Sequence, residues 1–328
     1  MTHLSEYINM EPSSPFALTA SKPLDPLKFQ NPDVTAKGEP RATVALKGLE
    51  TLWFNTGTLC NLACKNCYIE SSPTNDALVY LSLDDVRSYL DEIATDALPV
   101  REIAFTGGEP FMNRDMVPIL ALCLDRSFDV LMLTNAMRPL RRFEAQLLAL
   151  PHRERMTFRV SLDHYSKRVH EAERGPDSWD KALDGLRWLA ENEFRLAIAG
   201  RRLAHESDVQ ARLGYAALFA KQGFLALASD PGALVLFPEM DAQADIAEIS
   251  TSCWDILDVD PDAMMCASSR MVVKRKGQDG PRVAACTLLP YDPQFDMGAT
   301  LSEASRPVHL NHPHCARFCV LGGASCSA

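Results

Sequence analysis

Three cysteines, Cys60, Cys64 and Cys67, lie within the eight-residue segment CNLACKNC. The C-x3-C-x2-C spacing can bring three thiolates to one point, and thiolate sulfur is the preferred protein ligand of iron–sulfur clusters. A cluster that only carried electrons would be closed by four cysteines, so three ligands leave one iron open to another molecule. The triplet therefore predicts an iron–sulfur cluster with an open coordination position.

Two simpler explanations compete with this prediction. A structural zinc site is tetrahedral and closed, and no further Cys or His occurs from Tyr68 until Cys123. A disulfide with a spare thiol would suit an oxidising compartment, but the N-terminus does not resemble a secretory signal. Ten cysteines without such a signal favour metal binding, and we expect a cytoplasmic location.

The overall composition narrows the classes of partner. The chain has 328 residues, of which 47% are hydrophobic, enough for about two domains with sizeable cores. The net charge is -10, so the broad basic surface of a nucleic-acid-binding protein is missing. No apolar run approaches the roughly 18 residues that span a bilayer. We therefore expect neither nucleic acid nor a membrane as a partner.

From about residue 49, short apolar runs alternate with amphipathic stretches, a pattern typical of βαβ units. The predicted strands are LETLWFNTG, REIAFTG, FDVLMLTN, MTFRVSLD, FRLAIAG and ALVLFP. Helical periodicity is found in LDDVRSYLDEIATD, RDMVPILALCLDR, WDKALDGLRWLAENE and SDVQARLGYAALFAKQG. Six repeats are two short of a closed eight-stranded barrel, so we predict an α/β fold with a partial (β/α)6 TIM-like barrel.

Glycine and polar residues follow the predicted strands, where a parallel sheet places its binding site. The second strand ends in TGGEP, residues 106–110, whose glycines permit a close approach to a ligand, although a plain tight turn looks the same. Asn135 closes the third strand. Ser161 and Asp163 close the fourth, where an N-cap or Asx turn is an equally good explanation. Arg201 ends the fifth and could pair with a cofactor carboxylate, although a solvated surface arginine is an equally good explanation.

The two ends of the chain differ from this central part. Residues 1–48 are rich in proline and lack periodicity, which predicts an extended arm before a barrel at 49–253. In residues 254–328, MVVKRK and RVAACTL predict a hairpin around GQDG that brings Cys266 near Cys286. With the three cysteines that follow, five thiols crowd a segment too short for a good core. A second cluster, or a zinc ion closed by four cysteines, would stabilise it.

Taken together, the motifs resemble those of the radical S-adenosylmethionine (radical SAM) enzymes. CNLACKNC with Tyr68 directly after it resembles their cluster loop, and Gly107, Gly108 and Glu109 resemble their GGE motif, which receives the amino group of S-adenosylmethionine. The resemblance implies that this cofactor chelates the open iron. It implies cofactor-binding positions at Tyr68, Gly107, Gly108, Glu109, Asn135, Ser161, Asp163 and Arg201.

The C-terminal segment resembles the auxiliary-cluster domains called SPASM and Twitch. Their opening signature is a Cys, a hairpin containing Gly and a second Cys, which Cys266, Gly280 and Cys286 match with one extra residue. The full SPASM pattern has seven cysteines, more than this segment offers. The resemblance therefore implies one auxiliary [4Fe-4S] cluster, with Cys326 as a substitute or a bystander among the candidate ligands Cys266, Cys286, Cys315, Cys319 and Cys326.

The resemblance also implies a reaction. The reduced cluster cleaves S-adenosylmethionine to a 5′-deoxyadenosyl radical, which abstracts hydrogen from a substrate. An auxiliary cluster that accepts an electron favours net oxidation, cross-linking or modification of a peptide or small molecule, with a donor such as flavodoxin or ferredoxin. Two alternatives stay open: a sulfur-inserting radical SAM enzyme and a non-catalytic iron–sulfur electron carrier. The sequence names no catalytic acid or base.

Overall fold

The computed structural model describes residues 14–17 and 21–323 of the chain. The strands there are β1 (Thr43–Val44), β2 (Thr51–Asn55), β3 (Glu102–Thr106), β4 (Asp129–Thr134), β5 (Met156–Ser161), β6 (Arg195–Arg201), β7 (Leu234–Phe237), β8 (Ser269–Val273), β9 (Arg282–Ala284), β10 (Asp296–Gly298) and β11 (Val308–His309). No helix in this part of the chain is both long and apolar enough to cross a bilayer.

The α-helices of the described residues are α1 (Leu83–Thr95), α2 (Met116–Asp125), α3 (Arg138–Arg141), α4 (Glu144–Leu148), α5 (Lys167–Arg174), α6 (Ser178–Glu191), α7 (Asp208–Gln222), α8 (Leu225–Ser229) and α9 (Cys253–Leu257). Short 3-10 turns are found at Pro110–Met112, Arg153–Arg155, Pro231–Ala233, Pro261–Ala263, Met265–Ala267, Pro293–Phe295 and Glu303–Ser305, and a π-helical segment at Cys315–Val320. Helices α1 and α7 begin with capping boxes at Ser82 and Ser207, which satisfy the free amides of the first turn.

One sheet of nine strands organises the molecule, in the order β10-β9-β8-β2-β3-β4-β5-β6-β7. Strands β2 to β7 are parallel neighbours in chain order, and each is joined to the next through at least one helix. Their carboxyl ends therefore lie along one edge of the sheet. The six predicted strands and the α/β partial-barrel class are confirmed.

The strands are buried on both faces, as parallel strands covered by helices must be. One face packs against the helices in a large core, which contains Phe54, Phe105 and Phe158 of the strands and Leu90 and Leu186 of the helices. The other face forms a smaller inner core with residues of the C-terminal part, including Trp53, Ala104, Leu131, Met271 and Phe318. Each large apolar side chain buried in this way contributes about 1.5–3 kcal/mol.

The predicted C-terminal hairpin is confirmed, and its position is informative. Strand β9 is antiparallel to β8, with Met271 opposite Ala284. Strand β8 is parallel to β2, with Thr51 opposite Ser269, so the hairpin extends the sheet of the barrel. The sheet thus continues across the predicted boundary after residue 253, and the division into domains stays a prediction.

The N-terminal arm, whose packing the sequence left open, lies against the rest of the protein where it is described. Strand β1 is antiparallel to β11, with Thr43 opposite His309. The amide of Leu24 donates to Gln243 O at 2.7 Å. These contacts tie the arm to the segment after β7 and to the C-terminal part.

Helix α6 packs closely on the segment after β4 at Gly185, where a Cβ would lie 1.7 Å from the carbonyl oxygen of Ala136. We expect Gly185→Ala to lower the free energy of unfolding by about 1–3 kcal/mol, because the backbone must shift to relieve this overlap. Urea denaturation measures the change. Gly280→Ala is the control, since its Cβ meets nothing within 4 Å, and an equal effect of both variants would contradict the prediction.

Candidate iron–sulfur and cofactor site

A cavity of about 170 Å³ lies at the carboxyl ends of the parallel strands. The last residues of five successive strands, β3 to β7, all line it: Thr106, Thr134, Ser161, Arg201 and Phe237. The apolar part of its wall comes mainly from the inner core and includes Trp53, Leu133, Leu288 and Phe318. Such a mixture of apolar walls and a few convergent polar groups is typical of a cofactor pocket.

The three cysteines of CNLACKNC, which follows β2, also line this cavity. The amide of Leu62 donates to the sulfur of Cys60 at 3.4 Å, and the amide of Ser71 donates to the sulfur of Cys67 at 3.3 Å. Burial raises the pKa of Cys60 to about 12 and that of Cys64 to about 11. A bound cation would favour the thiolates, and amide donors to sulfur also tune such centres. Three sulfurs beside one cavity fit a cluster with an open iron.

Gly107 and Gly108 let the turn after β3 lie against the segment that leads into the cluster loop. Gly107 has φ +138°, and a Cβ there would lie 2.6 Å from Gly57 O. A Cβ on Gly108 would lie 2.2 Å from Leu59 O, next to Cys60. The close approach expected from the glycines therefore includes the protein's own backbone as well as the cavity, which both residues line.

Gly108→Ala is expected to lower the iron content of the anaerobically reconstituted protein from about eight toward about four per chain, because the carbonyl of Leu59 and the adjacent Cys60 must move. Iron and sulfide counting measures the loss. Gly48→Ala is the matched control, since its Cβ would make only an ordinary contact of 3.6 Å with Pro99 Cγ, and it should retain wild-type iron. Full cluster content in Gly108→Ala would show that the glycine does not position the cysteine loop.

Glu109 is placed differently from the other predicted cofactor-binding residues, because it is not among those that line the cavity. Its buried carboxylate accepts hydrogen bonds from Thr134 Oγ1 at 2.8 Å and from the amide of Asn135 at 2.9 Å. Burial raises the pKa of Glu109 to about 7, although these hydrogen bonds oppose the shift. In this structure the carboxylate connects the ends of β3 and β4, and a cofactor contact stays a prediction.

Asp163 lines the cavity, and its carboxylate is already bound by protein. Arg174, at the end of α5, donates from Nε to Asp163 Oδ2 at 2.6 Å and from Nη2 to Oδ1 at 3.1 Å. Burial disfavours the carboxylate, but Arg174 and then Arg201 outweigh burial and hold the pKa of Asp163 below its usual range. The sequence did not single out Arg174, which also lines the cavity.

Arg201 likewise lines the cavity while pairing with two carboxylates. Its Nη1 lies 3.1 Å from Glu173 Oε1, and its Nη2 pairs with Glu239. Its guanidinium also lies over the ring of Tyr68, 5.0 Å from the ring centroid. Of the three guanidinium nitrogens of Arg201, only Nε has no hydrogen-bond partner among the described atoms. The expected pairing with a cofactor carboxylate therefore stays a prediction.

Glu173 is the second residue that the sequence did not single out. It is buried at the last turn of α5, where a negative charge opposes the helix dipole. A local conflict of this kind is a sign of a functional position, and it could have been noticed in the sequence KRVHEAERG. The residue lines the cavity beside Arg174.

A second cavity lies in the C-terminal part and is lined by four of the predicted auxiliary ligands, Cys266, Cys286, Cys315 and Cys319. The hairpin positions the first two, and the π-helical segment positions the others. Burial raises the pKa of Cys266 to about 11 and that of Cys315 well above its usual range. The sulfur-rich lining fits an auxiliary cluster. Cys326 lies outside the described residues.

His314 also lines this second cavity, and its Nδ1 is buried with no hydrogen-bond partner among the described atoms. Across residues 14–17 and 21–323, no group of three or more His, Cys, Asp or Glu side chains converges on a single-ion site. The two cavities share Leu288 in their walls, and Phe318 of the first cavity directly precedes Cys319 of the second.

An open parallel sheet with a three-cysteine loop at its carboxyl edge defines the class of iron–sulfur proteins with a radical SAM fold. Residues 54–200 match the family model described as the radical SAM superfamily. Over these residues the chain is similar to the radical SAM superfamily, whose members are iron–sulfur-dependent enzymes.

This chain spans only about a quarter to a third of the length of curated relatives that it matches. The antilisterial bacteriocin subtilosin biosynthesis protein AlbA of Bacillus subtilis is 33% identical over 116 residues, 35% of this chain and 25% of AlbA. Streptococcus suis SuiB bound to S-adenosylmethionine has a TM-score of 0.55 at 12% identity, covering 77% of this chain and 63% of SuiB. Native anSMEcpe with bound AdoMet and Kp18Cys peptide has a TM-score of 0.54 at 14% identity, covering 77% of this chain and 79% of that chain. The structural likenesses show the fold.

Proposed function

We propose that this chain is a radical SAM enzyme that binds a [4Fe-4S] cluster through Cys60, Cys64 and Cys67. The observation that supports this most is that the three thiols lie at one cavity with the last residues of five successive strands. When bound, the reduced cluster and S-adenosylmethionine supply a 5′-deoxyadenosyl radical that abstracts hydrogen from the substrate.

The chain's own residues orient and shield this chemistry. The carboxylates of Asp163 and Glu173 and the guanidiniums of Arg174 and Arg201 line the cavity, and their formal charges balance. Ion pairs among them hold these side chains in place around the cavity. The apolar wall limits water, and a reactive carbon radical requires that exclusion.

The proposed substrate is a peptide or small molecule, and a peptide is favoured. AlbA takes part in the biosynthesis of a bacteriocin and is 33% identical to this chain over the matched segment. The proposed outcome is a net oxidation or cross-link, with Cys266, Cys286, Cys315 and Cys319 holding an auxiliary [4Fe-4S] cluster that accepts an electron. A donor such as flavodoxin or ferredoxin would reduce the first cluster in a reducing compartment such as the cytoplasm.

The test is anaerobic reconstitution of the full chain, followed by iron and sulfide counting and incubation with dithionite and S-adenosylmethionine. We expect about eight irons per chain and the formation of 5′-deoxyadenosine. About four irons with product would mean that the C-terminal cysteines hold zinc or nothing. Iron without 5′-deoxyadenosine would favour an electron carrier, and sulfur transferred into the product would favour a sulfur-inserting enzyme.

A further inference from the structure

The N-terminal turn, residues 14–17, lies beside the cluster loop although it is distant in sequence. Phe16 is 0% exposed, and the amides of Phe16 and Ala17 donate to Ser14 Oγ at 3.2 Å and to Ser14 O at 3.1 Å. Ser14 and Ala17 line a surface cleft together with Cys64 and Cys67. The turn is thus a defined local structure at the edge of the proposed site.

Glu173 connects this turn to the cluster loop. Ser14 Oγ donates to Glu173 Oε2 at 2.5 Å, while the amide of Asn66 donates to Glu173 Oε1 at 2.8 Å. The backbone carbonyl of Glu173 accepts from the amide of Lys65 at 3.0 Å. Residues 65 and 66 lie between Cys64 and Cys67, so one buried glutamate binds both the turn and the segment between two cluster cysteines.

Phe16 makes a second, independent connection. Its ring centroid lies 4.4 Å from the guanidinium carbon of Arg201. Arg201 in turn pairs with Glu173, and its Nη1 lies 3.4 Å from Asn66 O. A buried cation over an aromatic face is a stabilising contact, and its strength increases when water is excluded. Ser14 therefore contacts Glu173, Phe16 contacts Arg201, and these two partners form an ion pair with each other.

We propose that Ser14 and Phe16 are positioning residues that hold the cluster loop in place through Glu173 and Arg201. The part of this inference that concerns a cluster rests on the proposed function, whereas the contacts with the loop do not. Loss of a charge-assisted hydrogen bond or of a buried aromatic contact shifts a local opening equilibrium by about tenfold. The fraction of time for which Cys64 and Cys67 are accessible to a reagent should therefore rise by a similar factor.

The first test uses the metal-free full chain and measures alkylation of individual cysteines by iodoacetamide with mass spectrometry. Ser14→Ala and Phe16→Ala should each speed modification of Cys64 and Cys67 about tenfold, with Cys123 in the core unchanged. The matched control is Leu27→Ala, because Leu27 is in the same arm and is 71% exposed. Rates for both variants within twofold of the wild type would overturn the proposal.

Conservative variants separate positioning from a general loss of structure. Ser14→Thr keeps the hydroxyl and should restore the wild-type rate, whereas Phe16→Leu keeps the bulk and should remain faster because the aromatic face is lost. Faster modification of Cys123 in Phe16→Ala would show that this variant unfolds. In that case the rates of Ser14→Ala and Phe16→Leu decide whether the turn positions the cluster loop. Equal rates for Ser14→Thr and Ser14→Ala would exclude the hydrogen bond to Glu173.

The second test uses reconstituted protein and measures iron release to a chelator, together with the electron paramagnetic resonance spectrum of the reduced cluster. Ser14→Ala and Phe16→Ala should release iron about tenfold faster, and their spectra should differ from that of Leu27→Ala. Wild-type release rates and spectra would overturn the positioning role. If the wild-type protein took up no iron, the proposed function would be overturned instead. The alkylation rates would then still test whether Ser14 and Phe16 position the cluster loop.

Discussion

Replacement of Cys64 by alanine is expected to lower the rate of 5′-deoxyadenosine formation by far more than about a hundredfold, which in practice abolishes it. Outer partners of metal ligands alone change affinity or activity by about 10–100-fold, and Cys64 is a proposed ligand itself. Two remaining cysteines cannot hold the cluster in a position that leaves one iron open. Product is measured by chromatography after anaerobic reduction with dithionite, and the iron content should fall from about eight to about four per chain.

Cys123→Ala is the matched control for this experiment. Cys123 is fully buried on α2 in the large core and is not among the residues that line the two cavities or the surface cleft where the other cysteines lie. The variant should lose some stability while retaining iron and product. Undiminished product from Cys64→Ala, or an equal loss from both variants, would contradict the assignment of the three-cysteine loop.

Arg174→Ala is expected to lower the free energy of unfolding by about 3–5 kcal/mol. The change removes both hydrogen bonds to Asp163 and leaves a buried carboxylate without its main partner. Urea denaturation of the metal-free protein at pH 7 measures the difference, so that loss of a cluster does not contribute.

The effect of Arg174→Ala should depend on pH. In the wild type the pKa of Asp163 is held below its usual range, so the pair contributes stability above the usual pKa of aspartate, and this contribution is lost as the pH falls. In the variant, burial without Arg174 favours the protonated acid. The difference between the two proteins should therefore be largest near neutral pH and shrink toward acidic pH.

Arg187→Ala is the control for the buried pair, because Arg187 lies 2.8 Å from Asp184 in an ion pair with both side chains largely exposed to solvent. Exposed pairs of this kind contribute about 0–1 kcal/mol. A loss of stability in Arg174→Ala no larger than that in Arg187→Ala, or one that is independent of pH, would show that the pair with Asp163 is not a main stabilising contact.

The regular elements could be predicted from the sequence because each depends on residues close together in the chain. The apolar runs at β2 to β7 and the helical periodicity of α1, α2, α6 and α7 are local patterns, and the structure confirms them. The hairpin of β8 and β9 was equally local. Its parallel pairing with β2 was not, since the two strands are about two hundred residues apart and nothing in either strand names its neighbour.

The residues of the candidate site also divide into those that local sequence predicts and those whose role depends on contacts between distant parts of the chain. Type and spacing were enough to single out Cys60, Cys64 and Cys67 and the glycines after β3, because a loop of eight residues brings its own ligands together and strand ends share one edge. Those residues do lie at one cavity. Their presence there follows from chain connectivity and from the direction of the parallel strands.

What only the tertiary structure decided is which polar groups are already engaged. The sequence by itself determined the cysteine loop, the strands β2 to β7 and the positions of Asp163, Arg201 and Glu109 near the strand ends. The fold determines that Arg174 forms an ion pair with Asp163 and that Glu109 binds the end of β4. It also determines that Ser14 donates a hydrogen bond to Glu173, which is 159 positions away in the chain. Such pairings depend on three-dimensional packing and on the desolvation of buried charges, which no local pattern of residues encodes.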